Sequence, residues 1–397
     1  MKYNYARRVS NMKASDVREL LKVTETREII SLGGGLPAPE LFPVEEIKAV
    51  ACKVLEEEGA QALQYSTTEG YLPLRQWIAR RLGDTEGLAI DADNIILTNG
   101  SQQALDLTGK LFLDEGDVVV CESPTYLAAI SAFRAYGCRF AEVETDDDGM
   151  LPQALEQALD ANPTAKLIYV VPTFQNPTGR TWSRERREAL LEIAARRGIL
   201  VVEDNPYGEL RFEGETIPML KSMDGQGNVI CFGTFSKIFC PGYRLGWIVA
   251  EKGVIEKYGL AKQGTDLQCN TLAQREVTRF LQDYDIDAHI GRIRETYGRR
   301  RNLAIRTIER EFPEGTAITR PQGGLFLWLT LPGGLNAREL LPASMEKGVA
   351  FVPGESFFPN EKVTNTMRIN YSNATDEQLE KGLTILAEVV TEALQGA

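Results

Sequence analysis

The chain carries one histidine among 397 residues, His289. It falls in "DIDAHIGRIRETYGRRRNLAI", which reads as a long helix with a polar face, so His289 is expected at the surface. That removes histidine-based triads, and a lone imidazole removes multi-histidine metal sites. Any proton shuttle must be some other group. Cysteine is also sparse: Cys52, Cys121, Cys138, Cys231, Cys240 and Cys269 are scattered, with no paired CxxC spacing. Neither a disulfide framework nor a zinc site is expected, and the six read as buried thiols in a reducing cytosol. Positive charge is in deficit, with a formal net charge of -12. This disfavours nucleic acid or an anionic membrane as the main partner, while leaving room for one local basic cleft. Long apolar runs are missing too. The opening "MKYNYARRVSNMKASD" contains none, and nothing later is long enough to span a bilayer. The expectation is a cytoplasmic protein without a signal peptide.

What is present is ordinary for a globular chain: 43% hydrophobic and 25% charged residues. The length suits two domains, or one large domain with an appendage. Asp16 and Glu19 have capping-box spacing before "VRELLKV". "SLGGGLPAPELFP" is too rich in glycine and proline for a regular element and reads as a structured loop. After Pro43, the spacing of Ile47, Val50, Ala51, Val54 and Leu55 predicts a helix. From Asn94 onward, apolar strands ("NIILT", "DVVVC", "KLIYVV", "GILVVED", "NVICFG") alternate with helices such as "SQQALDLTGKLFL" and "RERREALLEIAARRG". That rhythm predicts an α/β fold with a mostly parallel sheet covered on both faces. Beyond a long helix near 285–311, "GGLFLWLTL", "VAFVPG" and "TMRINYS" lose the alternation and read as a smaller α+β domain. The expected division is 1–45 for an N-terminal helix and loop, 46–290 for the large domain, and 291–397 for the small one.

Each predicted strand stops at unusual polar residues, and in parallel sheets the ligand crevice lies beyond the carboxyl ends. "GILVVED" ends at Asp204, with Tyr207 just after; a carboxylate there needs a cationic or N–H partner. "KLIYVVPTFQNPTG" ends in a turn that presents Asn176, and "DVVVCESPTY" ends with Tyr126. "NIILTNGSQQAL" puts Gly100, Ser101 and Gln102 at a helix start, where free N–H groups favour a phosphate. "GTFSKIFCPGYRLGW" supplies Thr234, Ser236, Lys237 and Arg244, the last suited to bidentate phosphate contact. A phosphate cradle, an amine for a Schiff base, an aromatic plate and a buried acid together fit pyridoxal 5'-phosphate (PLP). Taken singly, each is an ordinary feature: a surface lysine, a helix cap, a turn. Their order at successive strand ends is what carries the reading.

The chain resembles the fold-type I PLP-dependent aminotransferases of class I and II over nearly its whole length. The resemblance rests on "YSTTEGYLPLR", "NGSQQALDL", "PTY", "NPTG", "EDNPY", "TFSK…GYRLG" and "MRINYS". "RELLKVTETREIISLGGGLPAPELFP" looks like the 2-aminoadipate aminotransferase subgroup. The resemblance implies that Lys237 attaches the cofactor and moves the substrate proton. It implies that Asp204 pairs with the ring nitrogen, that Asn176 and Tyr207 hold the phenolate oxygen, and that Tyr126 stacks on the ring. Ser101, Gln102, Ser236 and Arg244, with Thr234, would hold the phosphate. Tyr65 would reach the phosphate in a neighbouring subunit, making a homodimer with shared active sites. Arg368 would bind the substrate α-carboxylate, with Asn176 and Gly35 also contacting substrate. Strand alternation agrees, since Met367, Ile369 and Tyr371 share one face and leave Arg368 on the other. Arg18 is the candidate reader of a distal carboxylate. The implied reaction moves an amino group between an L-amino acid (2-aminoadipate, aromatic or branched-chain) and 2-oxoglutarate. The alternative is a PLP-dependent lyase, decarboxylase or racemase on the same fold. A transcription regulator built on this fold would need room for a DNA-binding domain before the glycine-rich loop at residue 31. A nucleotide-dependent dehydrogenase would need GxGxxG spacing, which that loop lacks.

Overall fold

The computed structural model of the chain describes residues 3–11, 29–360 and 362–396. The spacing at Asp16 and Glu19, and Arg18 between them, lie outside the described residues. In chain order the strands begin with β1 (Ile30–Ser31), β2 (Ile95–Thr98), β3 (Val118–Ser123), β4 (Arg139–Asp146) and β5 (Gly149–Met150). They continue with β6 (Ala165–Val170), β7 (Leu200–Asp204), β8 (Val229–Thr234) and β9 (Gly246–Val249). The C-terminal part adds β10 (Ala317–Ile318), β11 (Phe326–Thr330), β12 (Val349–Ala350), β13 (Val352–Pro353) and β14 (Thr366–Asn370).

The main sheet has eight strands in the order β2-β9-β8-β7-β6-β3-β4-β5. Period-two alternation explains its two faces. Val119, Leu167, Tyr169, Val202 and Phe232 pack with Leu105, Phe133 and Tyr258 from helices Ser101–Phe112, Leu127–Arg134 and Lys252–Gln263. Their neighbours Val118, Val120, Ile168, Val170 and Val201 pack instead with Leu155, Leu190 and Ile193 from helices Pro152–Ala161 and Arg184–Arg197. The central strands β7, β6 and β3 are parallel, as the apolar runs predict. Strand β9 departs from that reading, because it is antiparallel to both β8 and β2. Residues 235–245 between β8 and β9 are too few for a crossover helix, so the chain folds straight back. Arg244 is thereby returned to within reach of the β8 end.

The smaller sheet, β10-β11-β14-β13, is wholly antiparallel, and β1 pairs in parallel with β12. The glycine-rich segment after β1 is thus anchored to the C-terminal part and lies over the carboxyl ends of the main sheet. A third core cluster joins Leu97, Phe235 and Trp247 to Ile290 and Tyr297 of helix Ile286–Glu311 and to Leu383 and Leu386 of helix Asp376–Gln395.

Two expectations are corrected. His289 is buried, because Ile286, His289, Ile290 and Ile293 follow helical spacing on one apolar stripe. Burial and Arg292 hold its pKa down at about 4. Cys52 is exposed, while the other five cysteines are buried and all six are free thiols. Among the described residues no helix is long and apolar enough to cross a membrane.

Candidate active site

The carboxyl ends of β2, β3, β6, β7 and β8 meet the glycine-rich loop and β14 around a cavity of about 300 Å³. Ser101, Gln102, Tyr126, Asn176, Asp204, Tyr207, Thr234, Ser236, Lys237, Arg244, Arg368 and Gly35 all line it. Tyr65 does not; it lies outside, 78% exposed.

Besides Arg244, three charged groups face this space without an ion pair among the described residues. Asp204 closes β7, fully inside the protein. Its Oδ2 accepts from the Tyr169 hydroxyl at 2.8 Å, and its Oδ1 has no partner among the described residues. Desolvation pushes the carboxyl up to about 7, against the lowering effect of the Tyr169 bond. Arg368 is 2% exposed, yet no ion pair to it occurs among the described residues. Its Nη1 donates to Asn176 Oδ1 at 2.7 Å and its Nη2 to the Gly33 carbonyl at 2.6 Å, leaving Nε unpartnered. The guanidinium carbon sits 4.3 Å from the Phe326 ring and 5.1 Å from Phe357. Burial lowers its pKa to about 10. Lys237 Nζ donates to the Gly35 carbonyl at 2.7 Å. Desolvation, helped by Arg368 and Arg244, lowers that amine to about 8.

Between these charges lie neutral polar groups. Asn176 Nδ2 donates to the Tyr207 hydroxyl at 3.3 Å, so Asn176 touches both Tyr207 and Arg368. Burial pushes the Tyr207 hydroxyl well above its usual value and Tyr126 up to about 12, so both stay protonated.

The far end of the cavity is built for an anion. Helix Ser101–Phe112 begins there, and first-turn N–H groups have no acceptor within their own helix. Gly100 caps it at φ 74°, and a Cβ at that position would stand 2.5 Å from Arg244 Nη2. The positive φ favours glycine, and a Cβ there would also push the Arg244 guanidinium aside. Arg244 makes only long contacts with the carbonyls of Pro241 (3.3 Å) and Asn99 (3.4 Å). The Thr234 and Ser236 hydroxyls, 2.9 Å apart, complete this end.

Residues that the motifs did not single out also contribute. Tyr169 holds Asp204, and its sign in the sequence was a hydroxyl inside the otherwise apolar "KLIYVV". Gly33 supplies the carbonyl that orients Arg368. Leu36, Leu127, Ala128, Val171, Pro206 and Pro241 form the apolar lining, for which no sequence signal exists because such residues are common everywhere.

Comparison with known proteins follows this geometry. The family model for aminotransferases of class I and II matches residues 27–386. The chain is 45% identical to the aromatic-amino-acid aminotransferase 1 of Thermococcus litoralis, over 98% of this chain and 95% of that one. The crystal structure of Pyrococcus horikoshii kynurenine aminotransferase, in complex with PMP and with KYN and KYA, superposes with a TM-score of 0.94 at 44% identity. It covers 98% of this chain and 97% of that one. The α-aminoadipate aminotransferase of Thermus thermophilus, complexed with N-(5'-phosphopyridoxyl)-L-leucine, gives 0.93 at 39% identity, covering 99% and 98%.

Proposed function

The chain belongs to the class I and II aminotransferases, and we propose that it moves the amino group of an L-amino acid to 2-oxoglutarate, with Lys237 as its central residue. The enzyme is a PLP-dependent transaminase. The residues present suit that cofactor. The orphaned Oδ1 of Asp204 suits a protonated ring nitrogen, and the helix start with Arg244 suits a phosphate ester. The Lys237 amine suits an aldehyde, and Asn176 with Tyr207 suits a phenolate oxygen. The observation that carries the assignment is the set of buried, unmatched charges on one cavity: an acid, an arginine and a desolvated lysine. Buried charge with unused hydrogen-bonding capacity is costly, and a ligand bearing matching groups would offset that cost.

Bound there, PLP supplies an electron sink for cleavage at the substrate α-carbon. The rest is work for the chain. Arg368 holds the α-carboxylate, its planar fork already aligned by Asn176 and Gly33. Lys237 Nζ, uncharged in a large fraction of molecules near pH 8, takes the α-proton and keeps it inside the cavity. Asp204, held by Tyr169, would favour the protonated form of the cofactor's ring nitrogen. Gly35 and Leu36 lie over the lysine and limit water access.

For the donor we propose 2-aminoadipate and aromatic amino acids first, then branched-chain ones, in keeping with the relatives' names and the apolar lining. Arg18 is proposed to read a distal carboxylate; Arg18→Ala should lower kcat/KM for acidic substrates and spare leucine. The exposure of Tyr65 supports a homodimer in which it reaches the partner's cofactor. Leu63, Leu260 and Leu267 are exposed as well, and the Ser66 N–H bonds Gln268 Oε1, which joins these segments. We assign residues 46–290 to the cofactor-holding domain, 291–397 to the small domain and 1–45 to the segment covering the site, in the cytoplasm. The test is borohydride reduction of the purified protein, followed by peptide mass spectrometry and a panel of amino acids with 2-oxoglutarate. An adduct on Lys237 is expected; an adduct elsewhere, or none, refutes the proposal.

A further inference from the structure

Behind the anion end of the cavity lies a second charged cluster whose side chains are not part of its lining, though the Asn99 carbonyl accepts from Arg244 Nη2 at 3.4 Å. Lys262 is fully buried, at 0% exposure, and pairs with Asp266 at 2.8 and 2.9 Å. Asp266 Oδ2 also accepts from Asn99 Nδ2 at 2.5 Å and from Gln103 Nε2 at 2.7 Å. Gln103 Oε1 in turn accepts from Lys262 Nζ at 2.8 Å and from the Asn99 backbone N–H at 2.9 Å. Asn99 and Gln103 bracket Gly100 and Ser101, so the pair grips the turn on both sides of the helix start. We infer that Lys262 and Asp266 are positioning residues for this turn, setting the aim of the N–H groups that hold the cofactor's phosphate.

Two features favour this over a merely structural ion pair. Lys262 is fully buried while Asp266 is 23% exposed, and desolvating a lysine for such a pair brings little net stability by itself. Asp266 also sits on a turn held in an unusual shape. The Lys262 carbonyl accepts from the N–H groups of Thr265, Asp266 and Leu267 at 2.9, 3.0 and 3.2 Å, and Leu267, not a glycine, has φ 67°. Non-glycine residues occupy that region at a cost, where surrounding contacts over-determine them. The turn is specified to deliver one carboxylate to Asn99 and Gln103.

The inference rests on the reading of the helix start as the phosphate site, and the test separates the two. Apoenzyme is titrated with PLP and with pyridoxal, which lacks the phosphate, for wild type, Asp266→Asn, Lys262→Met and Gln103→Met. Gln103→Met interrupts the relay while leaving the ion pair intact, which covers a folding failure in the other two. Each variant should bind PLP about ten-fold more weakly or worse, with pyridoxal affinity unchanged. A purely electrostatic role predicts opposite signs, with Asp266→Asn binding PLP more tightly and Lys262→Met more weakly. That result would overturn the inference, as would equal losses for PLP and pyridoxal or an unchanged PLP preference in all variants. A wild type that does not prefer PLP over pyridoxal would refute the phosphate reading itself, and the inference with it.

Discussion

Glu203 and Asp204 are neighbours on β7, both buried, and they face opposite sides of the sheet. Glu203 is satisfied at both oxygens, accepting from the Leu220 and Lys221 N–H groups at 2.8 and 2.9 Å. Asp204 is satisfied at one oxygen only. Two arginines repeat the contrast. Arg187, fully buried, uses Nε, Nη1 and Nη2 on the carbonyls of Trp182, Pro218 and Pro172 and on the Thr173 hydroxyl. Neither arginine has an ion pair among the described residues, but Arg368 leaves Nε idle. Arg81, Arg275 and Arg301, away from the cavity, also leave Nε unpartnered, but each is ion-paired. Within these two comparisons the charge that holds the fold is fully engaged and the one on the cavity keeps capacity in reserve. The second kind marks where a ligand completes the structure.

The largest expected effect comes from removing the lysine. Lys237→Ala should lower transaminase turnover by about three orders of magnitude or more, measured with saturating PLP. The phosphate-holding end should still retain PLP non-covalently, so retention and turnover separate. Next comes the arginine pair. Arg368→Met should cost about 2–5 kcal/mol in kcat/KM, read from steady-state kinetics, with apoenzyme stability undiminished. Arg187→Met should do the reverse, lowering unfolding free energy by about 3–5 kcal/mol while leaving activity per folded molecule intact. Equal stability losses in the two would break the comparison. A smaller effect is expected at the anion end. Gly100→Ala must adopt φ 74° and push against Arg244, so PLP affinity should fall about ten-fold by titration.

How much of this was legible in the sequence depended on the reach of each signal. The strand ends were readable because apolar runs break at polar residues, and cofactor chemistry needs an unusual combination of them. Asp204, Asn176 and Lys237 were therefore found as individual residues, Arg368 was found only through the family resemblance, and the structure brings all four to one cavity. The direction of β9 was not readable, since "GWIV" is as apolar as a parallel strand and only its short connection turns it back. His289 was misread because the arginines around it outweighed the spacing of Ile286, Ile290 and Ile293, which places it on the buried stripe. Lys262 and Arg187 gave no signal. The i,i+4 spacing of Lys262 and Asp266 is an ordinary helix-surface pattern, while the link to Gln103 is distant in sequence and the partners of Arg187 are mostly backbone carbonyls, which residue types do not reveal.

Asp204 offers the sharpest measurement. Its folded pKa of about 7 stands above the ordinary 3.8, so its contribution to apoenzyme stability is complete below about pH 4 and is lost as pH rises through 7. The loss is on the order of 4 kcal/mol. Lys237, lowered from 10.5 to about 8, changes its contribution only from about pH 8 upward and leaves this window undisturbed. Glu86 and Glu122 are also raised by burial, to about 7 and about 8, so the decisive quantity is the difference between wild type and Asp204→Asn. Unfolding of both apoenzymes should be followed from pH 5 to 8, with and without saturating PLP. The account predicts that wild type loses stability with pH more steeply than Asp204→Asn, and that PLP abolishes the excess loss by giving Oδ1 its missing partner. Parallel profiles in the apoenzymes, or an excess loss that PLP leaves in place, would contradict it.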